Sequence, residues 1–188
     1  MDPSRQSAPG KAVALARPKL CRNAKSGSRA KKVLLCVWWH SGGVVHFELL
    51  PNATTVTAAL YCEQLARVQE QLRRGTAGWH RRTTPAFLHD NARSHTARIT
   101  QQKLEELGWE VLPHPPYSPD AAPSDYHLFR LLEHSLRGQS FTDQDEDEVK
   151  QHLEKFFEAK QGDFYARGID QLVEKWEKMV ENNGAYFD

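Results

Sequence analysis

Long apolar runs are missing from this sequence. No stretch approaches the ~20 residues that cross a bilayer as a helix, so no membrane partner is expected. The first residues lack the apolar segment of a secretory signal. Cysteine is scarce: Cys21, Cys36 and Cys62 are scattered, with no CxxC pair. That excludes a disulfide framework and points to free thiols in a reducing compartment. His80, His89 and His95 do not stand at zinc spacing from any cysteine, which sets a zinc site aside. Neither sign of charge is in overall excess, since 25 Lys/Arg against 24 Asp/Glu leave a net charge of +1.

The charge is nonetheless uneven. Residues 1–32 hold nine Lys/Arg and one acid, Asp2, whereas 141–163 is acidic. A basic arm beside a neutral body suits contact with phosphates. A solvated tail is the other reading that composition allows. Residues 1–30 are rich in Ala, Ser, Pro, Lys and Arg without periodicity and read as a basic, largely disordered arm. The remaining 31–188 has the length of one domain.

Within that domain, Lys32 to Leu50 reads as a hairpin. Val33–Trp39 is almost continuously apolar, as in a strand buried on both faces, and His40-Ser41-Gly42-Gly43 supplies the turn. Trp38 and Trp39 could stack on bases, but their place inside a strand favours the core. Thr55 to Arg74 reads as a helix capped by Thr57, with Leu60, Cys62, Leu65, Val68 and Leu72 near a 3.6-residue period. Gly75 to Thr84 is a basic loop carrying Trp79, His80, Arg81 and Arg82. Pro85–Leu88 is a strand, Ala97–Leu107 a helix capped by Ser94 or Asn91 and ended by Gly108, and Trp109–Leu112 the next strand. Strand, helix and strand in that order imply parallel pairing, and open α/β sheets gather their sites at the carboxyl ends of the strands.

Two carboxylates stand at such ends. Asp90 closes Phe87-Leu88-His89-Asp90. Asp125 follows a loop stiffened by Pro113, Pro115, Pro116, Pro119 and Pro123, and opens a helix that Ser124 would cap. In that helix Leu128, Leu131, Leu132 and Leu136 form an apolar face. Hard divalent cations take oxygen ligands, and Mg²⁺ commonly takes one or two carboxylates plus water and substrate phosphate. An acid in the first turn of a helix also meets the helix dipole favourably, which is the other account of Asp125. Phe141–Ala159 reads as an amphipathic helix with a solvated acidic start. A last helix, Ile169–Glu181, would turn Leu172, Val173, Trp176 and Val180 inward.

Three stretches together resemble the catalytic domain of the mariner branch of the Tc1/mariner DNA transposases. They are Leu88-His89-Asp90-Asn91-Ala92-Arg93-Ser94-His95, Glu110 to Asp120, and Ala122-Pro123-Ser124-Asp125-Tyr126-His127-Leu128-Phe129. The likeness runs from about Lys31 to Asp188, and the 34 residues between Asp90 and Asp125 are the mariner spacing. The resemblance implies an α/β, RNase H-like mixed sheet flanked by helices. It also implies Mg²⁺- or Mn²⁺-dependent cleavage and strand transfer at transposon inverted repeats, DNA and a second copy of the chain as partners, no small-molecule substrate, and a nuclear location. Asp90 and Asp125 would be the second and third acidic ligands, flanked by His89, Asn91 and His127. The arm would be a remnant of the clamp loop, with Arg17, Lys19, Arg22, Lys25, Arg29, Lys31 and Lys32, joined by Arg81 and Arg82, as candidate DNA contacts. The family's catalytic domain also occurs fused to a SET methyltransferase domain, but nothing in these residues resembles a methyltransferase.

One part of the family pattern is absent. Mariner transposases carry a first catalytic aspartate in a Gly-Asp-Glu strand upstream of the clamp region, and no such strand stands here. The expectation is a sheet lacking its first strand and a domain that cleaves weakly or not at all. The alternative is a non-enzymatic DNA-binding module derived from a transposase.

Overall fold

The computed structural model describes residues 12–15, 19–22, 32–51, 54–79, 84–137 and 146–181. Its centre is a strand, β3 (Lys32–His40), that turns at Ser41-Gly42 into β4 (Gly43–Leu50). Two short strands precede it, β1 (Ala12–Leu15) and β2 (Lys19–Arg22). Both pair antiparallel with β3 along one edge. Leu15 stands opposite Trp38 and Lys19 opposite Leu35, so one side advances four residues while the other advances three. Strands β1 and β2 thus lie one after the other along the same edge of β3.

β1 also pairs in parallel with β5 (Ala86–Leu88), which pairs in parallel with β6 (Glu110–Leu112). The sheet thus runs β4-β3-β1-β5-β6, with β2 extending β1 along β3. One row of the register crosses all of it: Val44, Trp39, Ala14, Leu88 and Leu112. The slot beside β5 is filled, which corrects two expectations. The sheet has a strand in the place that the missing family strand would take, and the arm over 1–30 contributes it. The physical reason is the unpaired edge that β3 and β5 would otherwise expose to each other, a ladder of donors and acceptors that any extended segment can satisfy.

Burial on both faces explains the unbroken apolar run of β3. Leu35, Val37 and Trp39 enter one core cluster with Leu128, Leu132, Leu153, Phe157 and Tyr165. Cys36 and Trp38 enter the other, with Tyr61, Leu65, Val68, Phe87, Leu104 and Trp109. A period of two sends alternate side chains to opposite faces. Both tryptophans are 1% exposed or less, so they are core residues and not a base-stacking platform. Each large ring buries area worth about 4–6 kcal/mol by transfer bookkeeping.

The cluster of Cys36 and Trp38 is covered by α1 (Ala58–Arg74) and α3 (Arg98–Leu107). Thr57 caps α1, its hydroxyl accepting from the Leu60 N–H at 3.2 Å, and Gly75 ends it in the left-handed conformation. The cluster of Leu35, Val37 and Trp39 is covered by α4 (Arg130–Leu136), α5 (Glu146–Glu158) and α6 (Gly162–Glu181). α6 starts earlier than the sequence suggests and takes in Phe164 and Tyr165. Its buried line is Phe164, Tyr165, Gly168 and Leu172 at helical spacing, which leaves Val173 and Val180 exposed on the flank, contrary to expectation. Leu131 is likewise exposed, while Leu128 and Leu132 face in. The acidic start expected near Asp143 and Asp145 lies outside the described residues.

One polar network pins β4 to α1. Glu48 accepts from Arg67 at 2.6 and 3.0 Å, from Gln64 at 3.0 Å, and pairs with His46 at 2.7 Å. Burial works to raise the Glu48 carboxyl, but His46, Arg67 and Gln64 outweigh it and bring its pKa down to about 2. A carboxyl depressed on folding stabilises the fold above its unfolded value near 4.5, and that contribution is lost as pH falls towards 2. Thermal melts across this window should therefore show Glu48→Gln losing less Tm on acidification than the parent chain. Parallel slopes for the two proteins would reject the assignment.

Candidate active site

β5 ends at Leu88, and two residues later Asp90 turns the chain. Its Oδ1 accepts from the Ala92 N–H at 2.9 Å and from His95 Nδ1 at 2.6 Å. The first bond is the short-range turn that aspartate makes with the backbone two residues on. The second comes back from α2 (Arg93–Thr96), a single turn separated from α3 by an extended residue at Ala97. Neither Ser94 nor Asn91 caps these helices, since neither α2 nor α3 has a side-chain cap. Asn91 instead donates from Nδ2 to the His114 carbonyl at 2.7 Å. That bond joins the loop after β5 to the loop after β6, at the carboxyl edge of the two parallel strands.

His95 is 2% exposed and sits in a stack of rings. The Tyr61 ring lies 4.2 Å from it, and His89 lies 5.2 Å away at an interplanar angle of 9°. The Tyr61 hydroxyl meets His89 Nδ1 at 3.2 Å. Burial first, then the neighbouring His95, brings the His89 pKa down to about 4 against the opposing pull of Asp90. His89 is accordingly neutral at pH 7. Burial and the Asp90 charge push Tyr61 well above the usual phenol range, so it stays protonated. The stack holds the carboxylate by shape and by one charge-assisted hydrogen bond.

The loop after β6 passes through a 3-10 turn at Pro119–Ala121 and enters a π-helical segment, Ser124–Phe129, ahead of α4. Asp125 is in the first turn of that segment, with its N–H donating to the Ala122 carbonyl. Ser124 does not cap it, in contrast to the expectation. Its buried hydroxyl accepts from Trp39 Nε1 at 3.0 Å. Trp39 shares the register row with Leu88, so the neighbour of Asp125 is anchored to the row that lies two residues before Asp90. π-helical turns recur at functional sites, where they re-aim side chains.

His127 points elsewhere. Its Nε2 donates to the Phe164 carbonyl at 2.8 Å, and its ring stacks on Phe164 and Trp39. It holds α6 to the π segment. Tyr126 does the same, donating to the Gly168 carbonyl at 2.7 Å. A Cβ on Gly168 would stand 2.5 Å from the His127 ring, so glycine is what lets α6 approach this closely.

Among the candidate DNA contacts, Lys19 and Arg22 lie on β2 and Lys32 opens β3. Arg17, Lys25, Arg29, Lys31, Arg81 and Arg82 fall outside the described residues.

The donor set suits a hard cation in part. Asp90 and Asp125 offer carboxylate oxygens, but among the described residues no group of three His, Cys, Asp or Glu stands together as a metal cage. β1 is Ala12-Val13-Ala14-Leu15, and no Asp or Glu occurs between Asp2 and Glu48. The residues therefore fit Mg²⁺ or Mn²⁺ that draws the rest of its shell from water and phosphate, and do not fit a site with three protein acids.

Three residues important to this geometry hold roles that the sequence expectations did not assign them: Tyr61, Ser124 as acceptor, and His95 as the partner of Asp90. His95 had a usable signal, since a histidine one turn beyond an Asx turn can fold back on it. The Trp39–Ser124 bond spans 85 positions and had none.

The chain is similar to known transposases. A family described as transposase (partial DDE domain) matches residues 16–82. The chain is 46% identical over 166 residues to the mariner Mos1 transposase of Drosophila mauritiana, covering 88% of this chain and 48% of that protein. It is 44% identical over 158 residues to the histone-lysine N-methyltransferase SETMAR of Homo sapiens, covering 84% of this chain and 23% of that protein. The chain thus spans less than half the length of both curated relatives. The Mos1 transposase catalytic domain, solved with raltegravir and Mg or Mn, superposes with a TM-score of 0.87 at 44% identity, over 98% of this chain and 89% or 88% of that one. A Mos1 transposase paired-end complex with the left transposon end gives a TM-score of 0.83 at 41% identity, over 95% of this chain and 56% of that one.

The anchoring of Asp125 can be tested through its neighbour. Ser124→Ala leaves the buried Trp39 N–H without its acceptor and should cost about 1–3 kcal/mol in denaturant unfolding. A loss below about 0.5 kcal/mol, the level of ordinary surface changes, would show that the bond does not hold the segment.

Proposed function

The chain belongs to the mariner branch of the Tc1/mariner DNA transposases, and from that membership we propose that it binds DNA through its basic arm while its own strand cleavage is weak or absent. The observation that carries the second half is β1. A strand without a carboxylate occupies the central place beside β5, where the family resemblance calls for an aspartate-bearing strand. In this reading Asp90 and Asp125 are two of the family's three acids. They would hold one Mg²⁺ or Mn²⁺ against a phosphate, and a bound metal would supply charge stabilisation there. With one acid short, the in-line displacement that two metals serve loses part of its clamp.

DNA as partner is supported by the charge of residues 1–32 and by the relative solved with a transposon end. A phosphate contact needs cations and no particular fold, so it survives the loss of a catalytic acid. Within a cell this reading puts the chain in the nucleus. A second copy of the chain is the further partner, as the family resemblance implies.

Two measurements on the purified chain test the proposal. Binding of a labelled duplex should weaken linearly in log–log form as salt rises, because phosphate contacts release counterions. The same duplex incubated with Mg²⁺ or Mn²⁺ should show little or no nicking. Robust turnover that Asp90→Ala abolishes would overturn the inactive assignment, and salt-independent or absent binding would overturn the DNA assignment.

A further inference from the structure

The loop between β6 and the π segment displays a ring. Tyr117 is 88% exposed, more than any other large hydrophobic side chain among the described residues. Its backbone has φ at +56°, in the left-handed region that a bulky L-residue rarely adopts. Prolines hold it there: Pro115 and Pro116 precede it, and Pro119 follows after Ser118. The Ser118 hydroxyl donates to the Pro116 carbonyl at 3.1 Å, a bond that closes across Tyr117. The loop is pinned on both sides. Upstream, the His114 carbonyl accepts from Asn91 Nδ2 at 2.7 Å. Three residues of chain span at most about 11 Å, so Tyr117 stays close to the turn that carries Asp90. Downstream, the Ala121 N–H donates to the Ser118 carbonyl at 3.1 Å, and Ala121 is fully buried. An exposed phenol ring and a strained backbone are both unfavourable to the fold by itself. Strain of this kind collects where a side chain serves a ligand.

We propose that Tyr117 is a base-stacking contact: its ring takes the face of an unpaired base in a DNA strand lying along the carboxyl edge of β5 and β6. The proposal rests on the DNA-binding reading above and names what that strand offers besides phosphate. Every base has a π-face, so stacking on tyrosine tolerates any sequence. A base inside a duplex has both faces covered by its neighbours, so the partner is a base outside the duplex stack. A ring already fixed by its loop loses little freedom on stacking, which favours a tyrosine on a proline-stiffened loop over a mobile side chain. Phosphate contacts set how binding depends on salt, and an uncharged ring adds affinity without adding to that dependence.

Binding of a single-stranded oligonucleotide and of the matching blunt duplex to the whole chain tests this. Tyr117→Ala should weaken binding of the single strand roughly 5- to 150-fold, the loss of one stacked base, and leave the duplex nearly unchanged. Tyr117→Phe should keep the affinity, since it keeps the ring face. The slope of log affinity against log salt should be the same for all three proteins. Tyr117→Gly separates binding from folding. It relieves the positive φ, so it should melt no lower than the parent chain while weakening the single strand as alanine does. Single-strand binding unaffected by Tyr117→Ala would sink the stacking while leaving the DNA reading intact. So would an equal loss on both forms of DNA, or a change confined to the sedimentation of the chain, which would assign the ring to a contact between copies. No binding of either DNA would fail the DNA reading and the stacking with it.

Discussion

The hydrogen bond from Trp39 Nε1 to Ser124 Oγ joins the two halves of the site, and much of the molecule is arranged to keep it. Trp39 lies in the strand that is buried on both faces, in the register row that also holds Leu88. Ser124 precedes Asp125 in a segment that has no side-chain cap of its own. An indole N–H buried without an acceptor is costly, so the bond fixes where the π segment can begin. His127 and Phe164 stack on the same side, and the absence of a Cβ on Gly168 admits them. The start of the segment that carries Asp125 is thus held to the sheet by a core contact.

Asp90 is held differently. Its carboxylate is fixed by a backbone N–H and by His95, and His95 is fixed in turn by the neighbouring rings of Tyr61 and His89. His89 is kept neutral and Tyr61 protonated by burial, so neither of these two rings brings a charge to the carboxylate at pH 7. Such packing gives a carboxylate a definite direction at little electrostatic cost, which is what a ligand for a mobile cation needs.

Much of this was legible in the sequence where local physics dominates. The unbroken run from Val33 to Trp39 announced a doubly buried strand, Thr57 announced a cap, and the order of strand, helix and strand announced parallel pairing. The likeness at Leu88–His95 and Ala122–Phe129 located the two carboxylates. What stayed hidden was decided by partners far away in sequence. Ser124 looked like a cap because serine before a helix usually is one, and a tryptophan 85 positions away claimed it instead. Val173 and Val180 looked buried because the helix was taken to begin later, and an earlier start at Gly162 set a different inward line. The arm looked unstructured because Ala12-Val13-Ala14-Leu15 is too short to show a period. Its strand comes from the ladder it completes, which composition does not record.

That last case separates two demands that a catalytic sheet normally meets with one strand. The ladder asks only for backbone donors and acceptors at the right spacing, and four residues with small or branched apolar side chains meet that demand as well as any others. Phosphoryl transfer asks for an oxygen at one particular place, and no backbone can supply it. A sheet whose central slot is filled by an acid-free segment can therefore keep its core and its register row. Fold and chemistry come apart at β1: the sheet is insensitive to which strand fills the slot, and the reaction depends on it. A high structural similarity to the Mos1 transposase catalytic domain is thus compatible with a β1 that carries no acid, and the identity of four residues adds information that the superposition of the rest does not.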